Sequence, residues 1–98
     1  MKQDVFNQYV NRVCDLFSIE DKLLFEKNKR KDAVDSRHLL YYLCAKRPMR
    51  LVYIQEYMAE RGYIISHSSI TYGIRKTAKI VKKDKDYQLV VKTIKDEV

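Results

Sequence analysis

The sequence has no tryptophan, one proline (Pro48) and only two glycines, Gly62 and Gly73. Tight turns draw heavily on glycine and proline, and an all-β chain needs a turn every ten residues or so. So few turn formers leave helices as the expected secondary structure. No Gly-x-x-x-x-Gly-Lys-Ser/Thr loop occurs, which excludes a P-loop nucleotide-driven machine. No apolar stretch approaches bilayer-spanning length, so no membrane partner is expected. The start, Met1-Lys2-Gln3-Asp4, leads into mixed polar and apolar residues, not the apolar run of a secretory signal, and the expected setting is reduced and cytoplasmic. The two cysteines, Cys14 and Cys44, each sit among apolar residues at helical spacing and are expected as buried free thiols.

What is present points to one folded domain over residues 1–98. A hydrophobic share of 46% beside a charged share of 34% is the balance of a folded, soluble chain and lies far from that of disordered ones. The 20 Lys and Arg outnumber the 13 Asp and Glu, a formal charge of +7. That excess attracts polyanions: nucleic acid first, an anionic membrane surface second, an acidic protein third.

Periodicity predicts a compact all-α bundle of about six helices. Phe6, Tyr9, Val10, Val13 and Phe17 form one stripe of a helix over 3–17. Ser18 is a candidate N-cap for a second, shorter helix over 19–28. Residues 27–32 hold no apolar side chain apart from stems and predict an exposed basic loop. Asp35 or Ser36 would cap a third helix with Leu39, Leu40, Leu43 and Cys44 inward, ending at Lys46-Arg47 before Pro48. A fourth helix over 50–61 carries Leu51, Ile54 and Met58 and stops at Gly62. A fifth restarts at Ser66 or His67 with a stripe of Ile70, Ile74, Ala78 and Val81, and a sixth over 84–95 turns Tyr87, Val91 and Ile94 inward.

The fourth and fifth helices, about 51–83, have the pattern of a helix-turn-helix. Opposite the stripe of the fifth helix stand Ser68, Tyr72, Arg75, Lys79 and Lys83, small hydroxyls first and cations after. A recognition helix needs that gradient, because its first turn reaches base edges and later turns run beside phosphates. A merely solvated basic face would have the same composition.

No catalytic arrangement is visible, and the chain is read as a non-enzyme without cofactor or small-molecule substrate. His38, His67, Cys14 and Cys44 lack the close spacings of structural zinc sites, so no metal is expected. Tyr41, Tyr42, Tyr53, Tyr57, Tyr63 and Tyr72 crowd the central helices. Core positions with the hydroxyl at the rim are the first reading for most of them, and stacking on bases the second.

Arg37, Tyr42 and Leu43 match an Arg-x-x-x-x-Tyr-Leu pattern, and Ser66-His67-Ser68-Ser69-Ile70 stands where Asp-His-Thr-Thr-Val would open a recognition helix. On these residues the stretch from about Val13 to Ile80 resembles the C-terminal DNA-binding domain of the bacterial replication initiator DnaA, of the Trp-repressor-like helix-turn-helix group. The resemblance implies a partner, double-stranded DNA, and a site: Ser66, His67, Ser68 and Ser69 in the major groove, Arg37 supporting a backbone or base contact, and Lys29, Arg30 and Lys31 in the adjacent minor groove. Tyr72, Arg75, Lys76 and Lys79 complete the expected DNA-binding set. Ser66 replaces the family's Asp, Ile65 replaces its usual Arg, and the second glycine of the turn is missing, so the family's own recognition box is not implied. Without the initiator's ATPase module, a freestanding copy implies a small replication or transcription regulator or accessory factor, nucleoid-associated, of the kind a phage or other mobile element encodes. The rival expectation is a protein adaptor or virion component that keeps the fold and uses a tyrosine-rich surface to hold a protein partner.

Overall fold

The computed structural model describes residues 1–98 and contains six α-helices and no strand: α1 Lys2–Phe17, α2 Asp21–Leu24, α3 Lys31–Lys46, α4 Leu51–Glu60, α5 His67–Lys83 and α6 Lys85–Glu97. The expected all-α bundle is what forms. Every helix contributes to one core of 19 buried hydrophobic residues.

Helix α1 buries Phe6, Tyr9, Val10, Val13 and Cys14, a stripe one turn wide that follows from their spacing of three and four. Ser18 ends this helix and does not open the next. Its φ of 55° is left-handed, its N–H donates to Asp15, and the following amide of Ile19 donates back to Cys14. Left-handed closure of this kind satisfies the last carbonyls of a helix.

The second helix is a single turn, much shorter than the 19–28 that periodicity predicts. The reason lies thirteen residues on. Arg37 Nε donates to the Leu24 carbonyl at 2.7 Å, and Nη2 donates to Leu23 at 3.3 Å and Glu26 at 2.6 Å. Asn28 Nδ2 also donates to the Leu23 and Glu26 carbonyls. A longer α2 would need the Leu23 and Leu24 carbonyls for its own ladder.

Helix α3 begins at Lys31, not at the expected Asp35 or Ser36, so the loop into it covers 25–30. Ser36 sits inside the helix, buried, with its hydroxyl donating to the Asp32 carbonyl. Leu39, Leu40, Leu43 and Cys44 are fully buried, as their spacing predicts. This is the central helix, packed most extensively against α5 and next against α1.

Ile54 and Met58 anchor α4 in the core, and the helix closes where Gly62 adopts φ +91°. A Cβ there would meet nothing within 4 Å, so the demand for glycine is conformational alone. Ser66 caps α5, its hydroxyl accepting from the Ser69 amide at 3.2 Å. The inward line of α5 runs through Ile70, Gly73 and Thr77, with Ile74, Ala78 and Val81 half-buried beside it. The predicted stripe is therefore rotated slightly. Asp84 caps α6 by accepting from the amides of Asp86 and Tyr87, and Val91 and Ile94 close the core.

No helix is long and apolar enough to cross a membrane. Both thiols are unpaired and buried. Burial, with Asp21 and Asp15 nearby, pushes Cys14 up to about 11, and burial pushes Cys44 up as well, so neither is a thiolate at neutral pH.

Candidate nucleic-acid interface

The exposed face of α5 is set by what its other face must bury. With Ile70, Gly73 and Thr77 inward, Ser68, Tyr72, Arg75, Lys76, Lys79, Lys82 and Lys83 are all exposed. At about 100° per residue they share an arc of roughly 120°. None of the 17 residues of α5 is acidic, and no carboxylate forms an ion pair with any of its five cations. The arc is a row of uncompensated positive charge some 20 Å long, at about 1.5 Å per residue.

The four residues that open α5 have different fates. Ser66 is occupied as the cap, and its hydroxyl also lies 3.2 Å from that of Ser69. Ser69 is thus tied to the turn. His67 and Ser68 are exposed, and the hydroxyl of Ser68 bonds to no protein atom. The sequence pattern put all four against nucleic acid; geometry leaves His67 and Ser68 as the free pair.

The basic loop is only partly free. Arg30 pairs with Asp32 at 3.0 Å, and Lys31, already in α3, pairs with Asp35 at 3.1 Å. Lys29 is exposed and has no carboxylate partner. Arg37 is almost wholly buried. It is 4% exposed, its guanidinium holds three carbonyls of the α2 exit, and it lies 4.7 Å from the centre of the Tyr63 ring. The expected backbone or base contact for Arg37 is replaced by an architectural one, since a buried cation cannot leave carbonyls that satisfy it. It fixes the loop that carries Lys29.

Loop and helix meet across a cleft of about 420 Å³. Lys27 and Asn28 line one side, Ser68, Ser69 and Tyr72 the other, and His38, Tyr41 and Tyr63 the floor. No acidic residue lines it. Lys27 Nζ donates to the Ile64 carbonyl and stands 4.0 Å above the Tyr63 ring, which ties the loop to the α4–α5 turn. His38 contacts Tyr72 edge to face at 5.8 Å, and its pKa is lowered by burial first and by Lys76 second.

Two candidates lay outside the sequence-based readings. Lys82 continues the arc beside Lys83, which the spacing already placed there. His38 had no such signal, because its place beside Tyr72 comes from packing α5 on α3, while Lys27, part of the expected basic loop, is set over the cleft by the folding of that loop.

Five of the six central tyrosines lie in or against the core, as the first reading of them has it, and the tyrosine-rich surface of the rival reading does not form. Tyr41 and Tyr42 are buried, Tyr53, Tyr57 and Tyr63 half-buried, and of the six only Tyr72 is exposed, at 61%. No group of three or more His, Cys, Asp or Glu side chains is placed to hold a metal. Comparison of the chain with protein-family models, curated proteins and solved structures finds no match.

Proposed function

We propose that the chain binds double-stranded DNA, with α4 and α5 acting as a helix-turn-helix and α5 entering the major groove. The single observation that carries this reading is the acid-free arc of α5, with free small groups at its N-terminal end and five cations behind them. A helix of this diameter fits the groove, which is about 12 Å wide. His67 and Ser68 then face base edges, while Arg75, Lys76, Lys79, Lys82 and Lys83 meet phosphates as the helix leaves the groove floor. Lys29 reaches the neighbouring minor groove from the loop that Arg37 holds. The sequence resemblance to the DNA-binding domain of DnaA supports the same docking. On this reading the protein is a sequence-preferring regulator or accessory factor that acts by occupancy.

The test is a salt titration of binding to duplex DNA. With four to six phosphates contacted, log affinity should fall against log salt with a slope of about −4 to −5. A flat dependence, or no binding at low salt, refutes the proposal.

A second reading, a protein adaptor, rests on a different face. Leu16 and Leu89 are 46% and 65% exposed and line one groove between α1 and α6. An adaptor predicts no duplex binding at any salt.

A further inference from the structure

A base inside a duplex is stacked above and below, so the duplex offers a protein its edges and its phosphates but no ring face. An exposed aromatic ring beside a cleft is therefore poorly used by paired DNA. Tyr72 is such a ring. It stands on the α5 arc between Ser68 and Arg75, is 61% exposed, and is the large apolar member of an otherwise polar face. Its place next to the cleft is fixed from below by His38, which is itself wedged against Gly73, where an added Cβ would lie 2.7 Å from His38 Cδ2.

The other rings of the cleft are already committed. Tyr63 has Lys27 Nζ at 4.0 Å and Arg37 Cζ at 4.7 Å from its centre, and Tyr41 is 3% exposed. They make the floor, and Tyr72 makes the wall. The volume of about 420 Å³ lies in the range of small-ligand sites, roughly 300–1,000 Å³. Its rim supplies hydroxyls from Ser68 and Ser69 and the positive charge of Lys27, whose ammonium rests on the Ile64 carbonyl, with no carboxylate among them. Hydrogen-bonding groups for a base edge, an aromatic wall and a cationic rim are what an unpaired nucleotide requires.

We propose that this cleft holds one unpaired nucleotide of a DNA strand, its base stacked on Tyr72 and its phosphate toward Lys27 and Lys76. The inference rests on the DNA-binding reading above and deepens it, because the cleft lies between the two elements, the loop and the start of α5, that embrace the duplex there. Where a base is bulged or mispaired, unstacking has already been met and the nucleotide enters at little further cost. The protein then favours duplexes with a local defect or an opened step over fully paired ones.

The experiment compares the full chain binding a fully paired duplex, the same duplex with a single-nucleotide thymine bulge, and free thymidine monophosphate. The bulge should bind roughly five- to a hundredfold more tightly than the paired duplex, the range that one base–aromatic stack supplies. Tyr72→Ala should bring affinity for the bulge down to that variant's own affinity for the paired duplex, whereas Tyr72→Phe should keep the preference. Tyr72 is exposed, so both variants are expected to keep the helical circular-dichroism signal, which is checked first. A 5-iodouracil placed at the bulge should photocrosslink to the peptide containing Tyr72. A bulge makes DNA easier to bend, and a preference that survives Tyr72→Ala therefore overturns the cleft. Equal affinity for paired and bulged duplexes overturns it too, while leaving duplex binding intact. Absence of binding to both duplexes overturns the cleft and the DNA-binding reading together. Tyr72-dependent binding of the free nucleotide without any advantage for the bulge assigns the cleft to a soluble ligand and overturns the strand as its source.

Discussion

At the scale of single residues, the contact between Gly73 and His38 decides how α5 sits on α3. A Cβ at position 73 would lie 2.7 Å from His38 Cδ2, closer than carbon atoms tolerate, and 3.0 Å from Tyr41 Cδ2, tighter than most such contacts. Alanine is the better helix former by roughly 1 kcal/mol, so propensity alone would make Gly73→Ala stabilising. Overpacking typically costs 1–3 kcal/mol and should win. We expect Gly73→Ala to lower unfolding free energy by about 1–2 kcal/mol in urea titration. In a His38→Ala background the same substitution should be neutral or stabilising, since the clashing ring is gone and the two sites are directly coupled. An equal loss in both backgrounds would place the strain elsewhere, on Tyr41.

His38 also gives the molecule a pH dependence whose sign is fixed. Its pKa is lowered from 6.5, by burial first and then by Lys76, with Arg37 acting the same way and Asp35 opposing. Between the folded value and 6.5 the unfolded chain binds more protons than the folded one, so stability rises with pH there. The penalty is complete below the folded value and absent above about 6.5. The melting temperature should therefore fall as pH is lowered from 7.5 toward 5.5, and His38→Gln should flatten that slope. A slope that stays as steep in His38→Gln would remove the imidazole as its source.

At the scale of elements, what was legible in the sequence is what neighbours in sequence determine. Pro48 ends α3, Gly62 follows α4, and Ser66 and Asp84 open α5 and α6, each through backbone geometry or a cap within three residues. The exits of α1 and α2 were not legible, because they depend on distant partners or on an unusual backbone. Ser18 resembles an N-cap in sequence, and only its left-handed φ shows it closing the helix before it. Arg37 resembles a surface cation, and only the folded loop shows it taking the carbonyls that would have extended α2. The candidate interface was legible along α5, whose arc follows from period alone, and illegible across the cleft, which two separate segments build.

The division within α5 leads to a contrast between its ends. Ser68 has a free hydroxyl in the first turn, while Ser66 is spent on the cap and Lys79 lies about three turns along. Ser68→Ala should reduce the preference for a selected site over a scrambled one, by roughly 1–3 kcal/mol if it pairs with a base, and barely change scrambled-site affinity. Lys79→Ala should weaken both sites alike and lower the salt slope by about one. Ser66→Ala should instead cost roughly 0.5–2 kcal/mol of stability through the lost cap. A competition assay at two salt concentrations, run with a melting curve on each variant, separates the three. Equal losses on both sites for Ser68→Ala would mean that the first turn of α5 reads no bases.

At the scale of the whole molecule, the question is whether DNA would feel the net charge or its placement. The formal charge of +7 belongs to the entire surface, and a diffuse excess of that size gives weak, non-specific attraction wherever it lies. The structure distributes it unevenly. Arg12, Lys22, Arg30, Lys31 and Arg61 are paired with carboxylates, whereas the cations of α5 are not, and neither are Lys85, Lys92 and Lys95 on α6. Two triple variants with the same final charge of +4, seven less three, therefore make a fair comparison. Lys76, Lys79 and Lys83 replaced by Ala remove three of the five cations of the α5 arc; Lys85, Lys92 and Lys95 replaced by Ala remove an equal charge from α6. All six side chains are exposed, so neither variant should lose core packing. If α5 lies on the phosphates, the first triple should lower the salt slope by about 2 to 3 units and the second by less than one, because distant charges are screened within about 10 Å at 0.1 M salt. The expected difference in affinity near physiological salt is then at least tenfold. Identical slopes for the two triples would show that only total charge matters, and α5 would lose its claim to be the face that meets DNA.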